Sequence, residues 1–467
     1  MKDPGIISLL MPKNTGVLES FVRRNPGTRV FFVEGWMDEA ALARVAVAGG
    51  EASPLHGLLS LYDRACAKME RVSRLSHLEA VLESEQWARF SSDRGWSPAR
   101  FGPIVAERAR NDLMGISTTI AGLERARSMS DLRLVIVNED WTPVCRAVVL
   151  WAKEHGIPSL HLAHSLDLTE LFTVHGRVMS DTLALFGERA AEEHEDAAAD
   201  VSARQIRVTG NPAWDIYPGL VTQREAVRAE LAAGLDCPPS VPWVVFATTW
   251  IVDHTAFADE DVFEKTLRVF LQACKTLIDA GSEMRIIIKD RPPNKDLGET
   301  CVAELSAELG IDQERIYYTL VDIERWVVAA DVVVSVCSNV SIEALLTRTP
   351  AINLVTEMDA ALGIPFDAFS GIVEAEDHEL AAAIERILGD ADYREGLRDQ
   401  MREAAVRYNR GVDGAATARV VDLIEELALP ARGRTFPGLS VWLRITAGWS
   451  ALAGLGGLVA RRLGFAR

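Results

Sequence analysis

The stretch Ala329–Glu357, AADVVVSVCSNVSIEALLTRTPAINLVTE, decides the fold class of this chain. It begins with a run rich in β-branched residues, Val332–Val336, which is typical of a buried parallel strand. A short polar turn follows, then a segment of helical character over Val340–Thr347, which Pro350 ends. Ile352–Val355 has the composition of the next strand. The order strand, turn, helix, strand predicts a parallel α/β unit.

The polar turn of this unit, Ser338-Asn339, is a candidate anion site. Ligands of open α/β sheets lie at the carboxyl ends of the strands. The turn offers backbone N–H groups and two small polar side chains, and the start of the following helix favours negative charge. Ordinary capping of the helix by Ser338 or Asn339 is an equally good interpretation of the same residues.

The same alternation of strand, polar turn and helix recurs along the chain and predicts two doubly wound Rossmann-like domains. The Pro-marked segment Asp236–Val241 separates the two halves. We predict an N-terminal domain over residues 1–235 with a helical insertion, a C-terminal domain over 236–429 and a tail over 430–467. The predicted strands are Arg29–Val33, Leu132–Val137, Pro158–Leu162, Thr182–Phe186 and Ile206–Val208 in the first half, and Trp243–Phe246, Met284–Ile288, Ile316–Tyr318 and Gly371–Val373 in the second, besides the two in the opening stretch.

Composition excludes several classes of protein. The chain has 467 residues, of which 48% are hydrophobic and 25% charged, as in ordinary globular domains. A formal net charge of -18 argues against a general nucleic-acid binder. The six cysteines are scattered and form no CxxC pair, so we expect reduced thiols in a cytosolic protein and no structural zinc. No apolar run reaches the length of a membrane span.

The tail Pro430–Arg467 differs from the body of the chain. It carries six arginines and no acidic residue, together with Trp442 and Trp449. A basic amphipathic helix of this kind suits an anionic membrane surface. The alternative is a helix that packs on the acidic surface of the protein itself.

Common catalytic motifs are missing from the sequence. No GxGxxG follows a strand, and no Walker A, HExxH or GxSxG pattern occurs. Asp259-Glu260-Asp261 has the form DxD, but it falls at a predicted helix start, where acidic residues are expected. We therefore predict no metal site and no bound cofactor.

Polar turns in the second half gather donors and positive charge. Because a parallel sheet brings the carboxyl ends of its strands to one edge, we expect these turns to converge. Lys289 and Arg291 would supply charge to the phosphates of a nucleotide. The predicted nucleotide-binding residues are Thr248, Thr249, Lys289, Arg291, Ser338, Asn339 and Glu343.

Acid–base candidates follow the strands of the first half. Glu34, Glu139, Asp140, His164 and Asn211 each come directly after a predicted strand. Any one of them alone is more often a cap or a structural group. Their recurrence at strand ends makes them candidates for proton transfer.

The order of these motifs resembles that of the two-domain GT-B glycosyltransferases. It is most similar to the bacterial surface-polysaccharide branch, which includes the CDP-glycerol glycerophosphotransferases and capsule sugar transferases. UDP-N-acetylglucosamine 2-epimerases share the fold and a similar TGNP turn. The motifs that carry the resemblance are His164-Ser165, Thr209-Gly210-Asn211-Pro212-Ala213-Trp214-Asp215, Phe246-Ala247-Thr248-Thr249-Trp250, Ile287-Ile288-Lys289 with Pro292, and Ala330-Asp331 through Ser338-Asn339 to Glu343.

The resemblance implies an enzyme that moves a sugar from a nucleotide donor, held by the C-terminal domain, to a cell-surface glycan or lipid-linked acceptor. Glu34 or Asp140 would be the base of an inverting reaction, and His164 would position a substrate. Metal is not required if dipoles and basic side chains stabilise the leaving phosphate. Asp290 and Arg291 stand where the family has a histidine.

The scattered cysteines and the basic tail together predict a cytoplasmic protein, peripheral on the inner face of the membrane. Three alternatives stay open: transfer of a polyol phosphate from a CDP donor, epimerisation of a sugar nucleotide, and an inactive scaffold that binds a glycan or partner.

Overall fold

In the computed structural model, the described residues are 2–34, 37–93, 98–139, 142–164, 179–197, 205–248, 262–291, 298–336, 338–355 and 366–428. They fall into two compact units. The first contains the described residues of Met1–Leu185, Glu193–Arg207 and the segment from Thr417 onward, and the second contains Phe186–Glu192 and Val208–Ala416.

The first unit is built on a seven-stranded sheet of order β3-β2-β1-β4-β5-β6-β7. Its strands are β1 (Pro4–Leu9), β2 (Arg29–Phe32), β3 (Glu51–Pro54), β4 (Asp131–Val137), β5 (Ser159–Leu162), β6 (Thr182–Leu185) and β7 (Ile206–Val208). The described pairings from β3 through to β6 are parallel. The direction of winding reverses between β1 and β4, which makes their carboxyl ends the switch point where such sheets bind ligands.

Helices cover both faces of this sheet. They are α1 (Gly16–Arg24), α2 (Glu39–Val47), α3 (Leu61–Leu82), α4 (Glu85–Asp93), α5 (Pro98–Met129), α6 (Pro143–Glu154) and α7 (Glu188–Ala197), the last divided between the units. One core lies under α1 and α2, and the other under α5 and α6. The final helix of the described chain, Ala416–Ala428, packs Val420, Val421 and Ile424 into the first of these cores.

Strand β1 is the central strand that the sequence patterns did not predict. The strand begins at Pro4. Proline has no backbone N–H to donate to a neighbouring strand, but it is tolerated as the first residue of a strand. The side chains of Ile6, Ile7 and Leu9 are at most 1% exposed. A Cβ on Gly5 would lie 3.0 Å from the Leu132 side chain, so this small residue allows β1 to approach its neighbour closely.

The second unit contains a six-stranded parallel sheet of order β10-β9-β8-β11-β12-β13. Its strands are β8 (Trp243–Ala247), β9 (Arg285–Lys289), β10 (Ile316–Thr319), β11 (Val332–Ser335), β12 (Ala351–Leu354) and β13 (Ile372–Ala375). Its helices are α8 (Tyr217–Thr222), α9 (Arg224–Gly234), α10 (Val262–Asp279), α11 (Gly298–Glu308), α12 (Ile323–Ala329), α13 (Asn339–Thr347), α14 (Leu380–Gly389) and α15 (Ala391–Asn409). The helix after α15 along the chain, α16 (Ala416–Ala428), belongs to the first unit from Thr417 onward. The switch point of this sheet lies between β8 and β11.

The compact units divide the chain at places other than the predicted boundary after Leu235. Residues 208–235 belong to the second unit because α8 and α9 pack on α12. The Arg228 guanidinium donates to the Asp331 carboxylate at 2.9 Å and lies 4.4 Å from the ring centroid of Trp243. The segment Asp236–Val241 is therefore a loop within this unit, although its prolines resemble a linker.

Among the described residues, no helix is long and apolar enough to cross a membrane. The tail Pro430–Arg467 lies outside the described residues, as does Asp259-Glu260-Asp261.

Candidate functional site

The switch point of the second sheet brings together the ends of β8, β9 and β11. Ala247, the last residue of β8, pairs with Ser335 of β11 on one side and with Lys289 of β9 on the other. Thr248 and the turn before α13 therefore leave neighbouring strands at the same edge of the sheet. The ends of β8, β9 and β11 are therefore neighbours along this edge.

Asp290 organises this edge. Its carboxylate is fully buried and accepts hydrogen bonds from the Thr248 hydroxyl at 2.8 Å and the Tyr318 hydroxyl at 2.8 Å. It also accepts from the backbone N–H of Arg291 at 2.8 Å and of Gly298 at 3.3 Å. Asp290 thus fixes the chain after β9 against β8 and β10. The sequence alone did not assign this residue a role, and its signal was a charged residue directly after a buried strand.

Lys289 lies in a buried, acidic environment. It is 7% exposed, and its Nζ donates to the backbone carbonyl of Asp290 at 2.7 Å. Burial lowers the pKa of Lys289 from its ordinary value, and the carboxylates of Asp290, Glu324 and Glu343 oppose that shift. The ammonium is therefore held at the sheet edge by its carbonyl contact and by the surrounding negative charge.

The N-terminus of α13 follows β11 at the switch point. Ser338 is its N-cap, with the hydroxyl accepting from the Val340 N–H at 3.3 Å. Below the turn, the hydroxyls of Ser335 and Ser341 share a buried hydrogen bond of 2.7 Å. Ser338 therefore caps the helix, as one of the two interpretations of the sequence predicted. The N-terminus of this nine-residue helix carries a partial positive charge and lies at the same edge of the sheet as Lys289.

Glu343 is held by two aromatic side chains from a distant part of the chain. Its carboxylate accepts from the Trp214 indole N–H at 3.2 Å and from the Tyr217 hydroxyl at 2.5 Å. Burial and the adjacent Glu343 raise the pKa of Tyr217, so the phenol stays protonated and donates. Glu343 is therefore an oriented hydrogen-bond acceptor one helical turn beyond Asn339.

The TGNP turn explains how those aromatic residues are placed. Asn211 is 1% exposed and caps the turn Pro212–Trp214 by accepting from the Ala213 N–H at 3.0 Å. Its own N–H donates to the Asn409 side chain at 2.7 Å. Asn211 belongs to the second unit, so the structure gives it a structural task rather than a place among the first-half acid–base candidates.

Of the other residues predicted to bind the nucleotide, the structure describes Arg291 but not Thr249. The Arg291 side chain is exposed, and its backbone N–H donates to the Thr248 hydroxyl at 3.1 Å. Thr249 lies outside the described residues, as does Pro292.

In the first unit, His164 lies at the switch point formed by β1 and β4. Its Nδ1 is 3.1 Å from the carbonyl oxygen of Asn138, and its own carbonyl accepts from the Lys13 ammonium at 2.8 Å. The Asn138 amide in turn donates to the Leu162 carbonyl at 2.7 Å. Asp140, the neighbouring candidate base, lies outside the described residues.

Glu34 has a different partner. Its carboxylate is 3.1 Å from Nε2 of His56, a residue that sequence reasoning did not single out. The Glu34 side chain is 72% exposed and lies beside a cavity of about 520 Å³ between α2 and the ends of β2 and β3. The cavity is lined mostly by apolar side chains, including Phe32, Met37 and Leu42.

Asn14 was also missed from the sequence. It follows β1 in the turn Pro12–Asn14, is 1% exposed, and neither polar atom of its amide has a hydrogen-bond partner among the described residues. Buried amides of this kind are uncommon in folded proteins and call for a bound group or an ordered water. The turn after β1 thus carries a buried amide that has no partner within the described chain, next to Lys13, whose ammonium contacts the His164 carbonyl.

No group of three or more His, Cys, Asp or Glu in the described part of the chain could hold a metal ion.

Known proteins resemble this chain in fold but not in sequence. Neither a protein-family model nor a curated protein sequence matches the chain. HepE of Anabaena, solved with UDP and glucose, superposes with a TM-score of 0.52 at 12% identity over 92% of this chain and 100% of that one. UDP-GlcNAc 2-epimerase of Neisseria meningitidis, bound to UDP-GlcNAc, gives a TM-score of 0.52 at 12% identity over 91% and 100% of the two chains.

A variant of the wall teichoic acid polymerase TagF gives a TM-score of 0.50 at 11% identity over 91% of this chain and 89% of that one. The chain therefore has the GT-B fold, an α/β architecture of two Rossmann-like sheets. The resemblance to GT-B glycosyltransferases of the surface-polysaccharide type is confirmed at the level of the fold.

Proposed function

We propose that this protein is a glycosyltransferase that moves a sugar from a nucleotide-activated donor to a glycan or lipid-linked acceptor. The observation that carries the proposal is the switch point of the second sheet. Thr248, Lys289 and the N-terminus of α13 lie on neighbouring strand ends there. Backbone N–H groups and an ammonium suit the phosphates of a leaving nucleotide.

Glu343 supports the same assignment. A carboxyl group oriented by Trp214 and Tyr217 is suited to accept hydrogen bonds from the hydroxyls of a ribose. Two proteins of the same fold were solved with UDP or a UDP-sugar bound. We propose that the donor nucleotide of this protein occupies the second unit, without a requirement for metal.

Two other activities are compatible with the fold. TagF is a polymerase of wall teichoic acid, which favours polyol-phosphate transfer as a second candidate, and the Neisseria enzyme favours epimerisation. Besides these two activities, an inactive scaffold is an alternative, because Asp290 and Arg291 stand where the family that this chain resembles has a histidine. Product analysis with CMP-, CDP-, UDP-, GDP- and dTDP-linked donors separates them. Sugar transfer requires free nucleotide and a glycosylated product, epimerisation leaves the nucleotide attached, and no turnover of any donor contradicts an enzyme.

The phosphate site predicts a loss of nucleotide affinity on substitution. Lys289→Ala and Ser338→Ala should each weaken binding of the cognate nucleotide about 10- to 150-fold, since a charge-assisted phosphate contact contributes about 1.5–3 kcal/mol. Isothermal titration calorimetry measures the effect. Lys275→Ala is the matched control, because Lys275 is a partly exposed lysine of the same unit that pairs with Asp279 away from the sheet edge. If Lys289→Ala and Ser338→Ala both bind the nucleotide as tightly as the unmodified chain, these residues do not form the phosphate site.

We also propose that the tail Pro430–Arg467 is a peripheral membrane anchor. Its six arginines attract anionic lipid by about 1 kcal/mol each near the surface, and this attraction should weaken with salt. Liposome flotation of the full chain and of a variant ending at Leu429 tests the proposal. The full chain should float with anionic vesicles and the truncated chain should float less. Equal flotation of both, or none by the full chain, contradicts it.

A further inference from the structure

One stripe along the exposed surface of α3 is apolar, which is the reverse of the usual pattern for a surface helix. Leu61, Tyr62, Met69 and Val72 are 88%, 76%, 73% and 53% exposed. Positions 61, 65, 69 and 72 are separated by four, four and three residues, so they lie on one side of the helix. The opposite side packs along α5, where Ala67 is 7% exposed. A contiguous apolar stripe of this kind on a soluble surface marks a contact site.

Basic side chains accompany the stripe. Arg64, Lys68 and Arg71 recur at intervals of four and three residues, so they form a row beside it. None of the three forms an ion pair with a carboxylate in the part of the chain that the structure describes. Three positive charges therefore border the apolar residues in a protein whose formal net charge is -18.

The acidic residues of α3 are engaged elsewhere. Asp63 forms a capping box with Ser60, which accounts for its carboxylate at the start of the helix. Glu70 pairs with Arg74 one turn along the helix. Glu79 pairs with Arg110 of α5 at 3.1 Å. The charge left unpaired along the stripe is consequently positive.

We propose that this side of α3 is a membrane-contact surface that inserts its apolar side chains at the boundary between headgroups and acyl chains of an anionic bilayer. An amphipathic helix with apolar residues on one side and Lys or Arg beside them binds in this way, with its axis in the membrane plane. Leu61, Tyr62, Met69 and Val72 would enter the boundary, while the basic row contacts the headgroups. Salt limits the repulsion from distant acidic groups to about 8–10 Å, so the local basic row dominates.

Charge favours an anionic bilayer at this surface over a second copy of the chain and over the tail Pro430–Arg467. A second copy of the chain would bring an identical basic row and another -18 net charge to the contact. The tail Pro430–Arg467 carries six arginines and no carboxylate side chain, so the basic row repels it. An anionic lipid surface is complementary to both the stripe and its border. This membrane contact by α3 does not depend on the proposed sugar transfer or on the proposed anchor in the tail.

Vesicle sedimentation of the full chain tests the proposal, with vesicles of phosphatidylcholine alone and of phosphatidylcholine mixed with phosphatidylglycerol. One variant combines Arg64→Gln, Lys68→Gln and Arg71→Gln. Each basic residue strengthens binding to an anionic surface about fivefold, so this variant should bind mixed vesicles on the order of 100-fold more weakly. A second variant combines Leu61→Ser, Tyr62→Ser, Met69→Ser and Val72→Ser and should lose binding by at least a similar factor.

A control variant replaces four apolar residues that are equally exposed but scattered, by Val47→Ser, Val321→Ser, Phe369→Ser and Val406→Ser. It should bind mixed vesicles like the unmodified chain. Light scattering reports the oligomeric state of every variant.

The proposal is overturned if the unmodified chain does not bind mixed vesicles, or if both α3 variants bind them as well as the control does, which would leave all binding to the tail. It is also overturned if the unmodified chain is a dimer that the α3 variants convert to monomers without loss of lipid binding, because the occupant is then a second copy.

Discussion

Of the variants Glu34→Ala and Asp140→Ala, one is expected to lose turnover by about 10²–10⁴-fold while keeping its affinity for the donor nucleotide, which is the usual contribution of a general base. Asp140 follows β4, a strand of the first switch point, and comes two residues after Asn138, which contacts His164. Glu34 follows β2 and pairs with His56. Both carboxylates belong to the unit that does not hold the proposed nucleotide site.

Separate measurements of kcat and of nucleotide affinity identify the base. The isosteric variants Asp140→Asn and Glu34→Gln serve as matched controls, because they remove the proton acceptor and preserve side-chain volume. They should lose as much turnover as the corresponding alanine variant if the carboxylate itself takes the proton. If both alanine variants remain active, the base lies elsewhere, or the reaction proceeds with retention by another route.

Asp290→Ala is expected to destabilise the second unit by about 3–5 kcal/mol. The substitution leaves the hydroxyls of Thr248 and Tyr318 and the N–H groups of Arg291 and Gly298 without this acceptor, and each buried unsatisfied donor costs about 1–3 kcal/mol. The upper part of the range is reached because the lost group is a fully buried carboxylate.

Urea denaturation measures this change in the free energy of unfolding. Tyr318→Phe removes one of the four donors and should cost about 1 kcal/mol. Asp279→Ala is the surface control; Asp279 is exposed and pairs with Lys275, so its loss should stay within about 0.5 kcal/mol. A loss of less than about 1 kcal/mol for Asp290→Ala would show that Asp290 does not organise the sheet edge.

Much of the fold is predictable because its buried parallel strands are continuous apolar runs. Val332–Ser335 and Ile206–Val208 were predicted within a residue of their observed ends. Strand β1 was not predicted because its Pro4-Gly5 start resembles a loop, and β3 was not predicted because Glu51–Pro54 is a short edge strand without an apolar run. Edge strands bury only part of their surface, so their sequences carry a weak signal.

The site was predictable only in its local parts. Residues that directly follow a strand, such as Thr248 and Ser338, can be found from the pattern of the chain. The partners of Glu343 cannot, because Trp214 and Tyr217 lie more than 120 residues away and reach it only through the packing of α8 on α13. The return of α16 to the first unit is equally non-local, since it depends on the pairing of Val420 and Ile424 with a core built by α1 and α2.

A crystal structure of the full chain soaked with UDP, and in parallel with CMP, tests the central claim most directly. We expect nucleotide density in the second unit, with the phosphates within hydrogen-bond distance of the Ser338-Asn339 turn or of Lys289, and the ribose at Glu343. Nucleotide bound only in the first unit, or ordered density away from the carboxyl ends of β8 and β11, would contradict it.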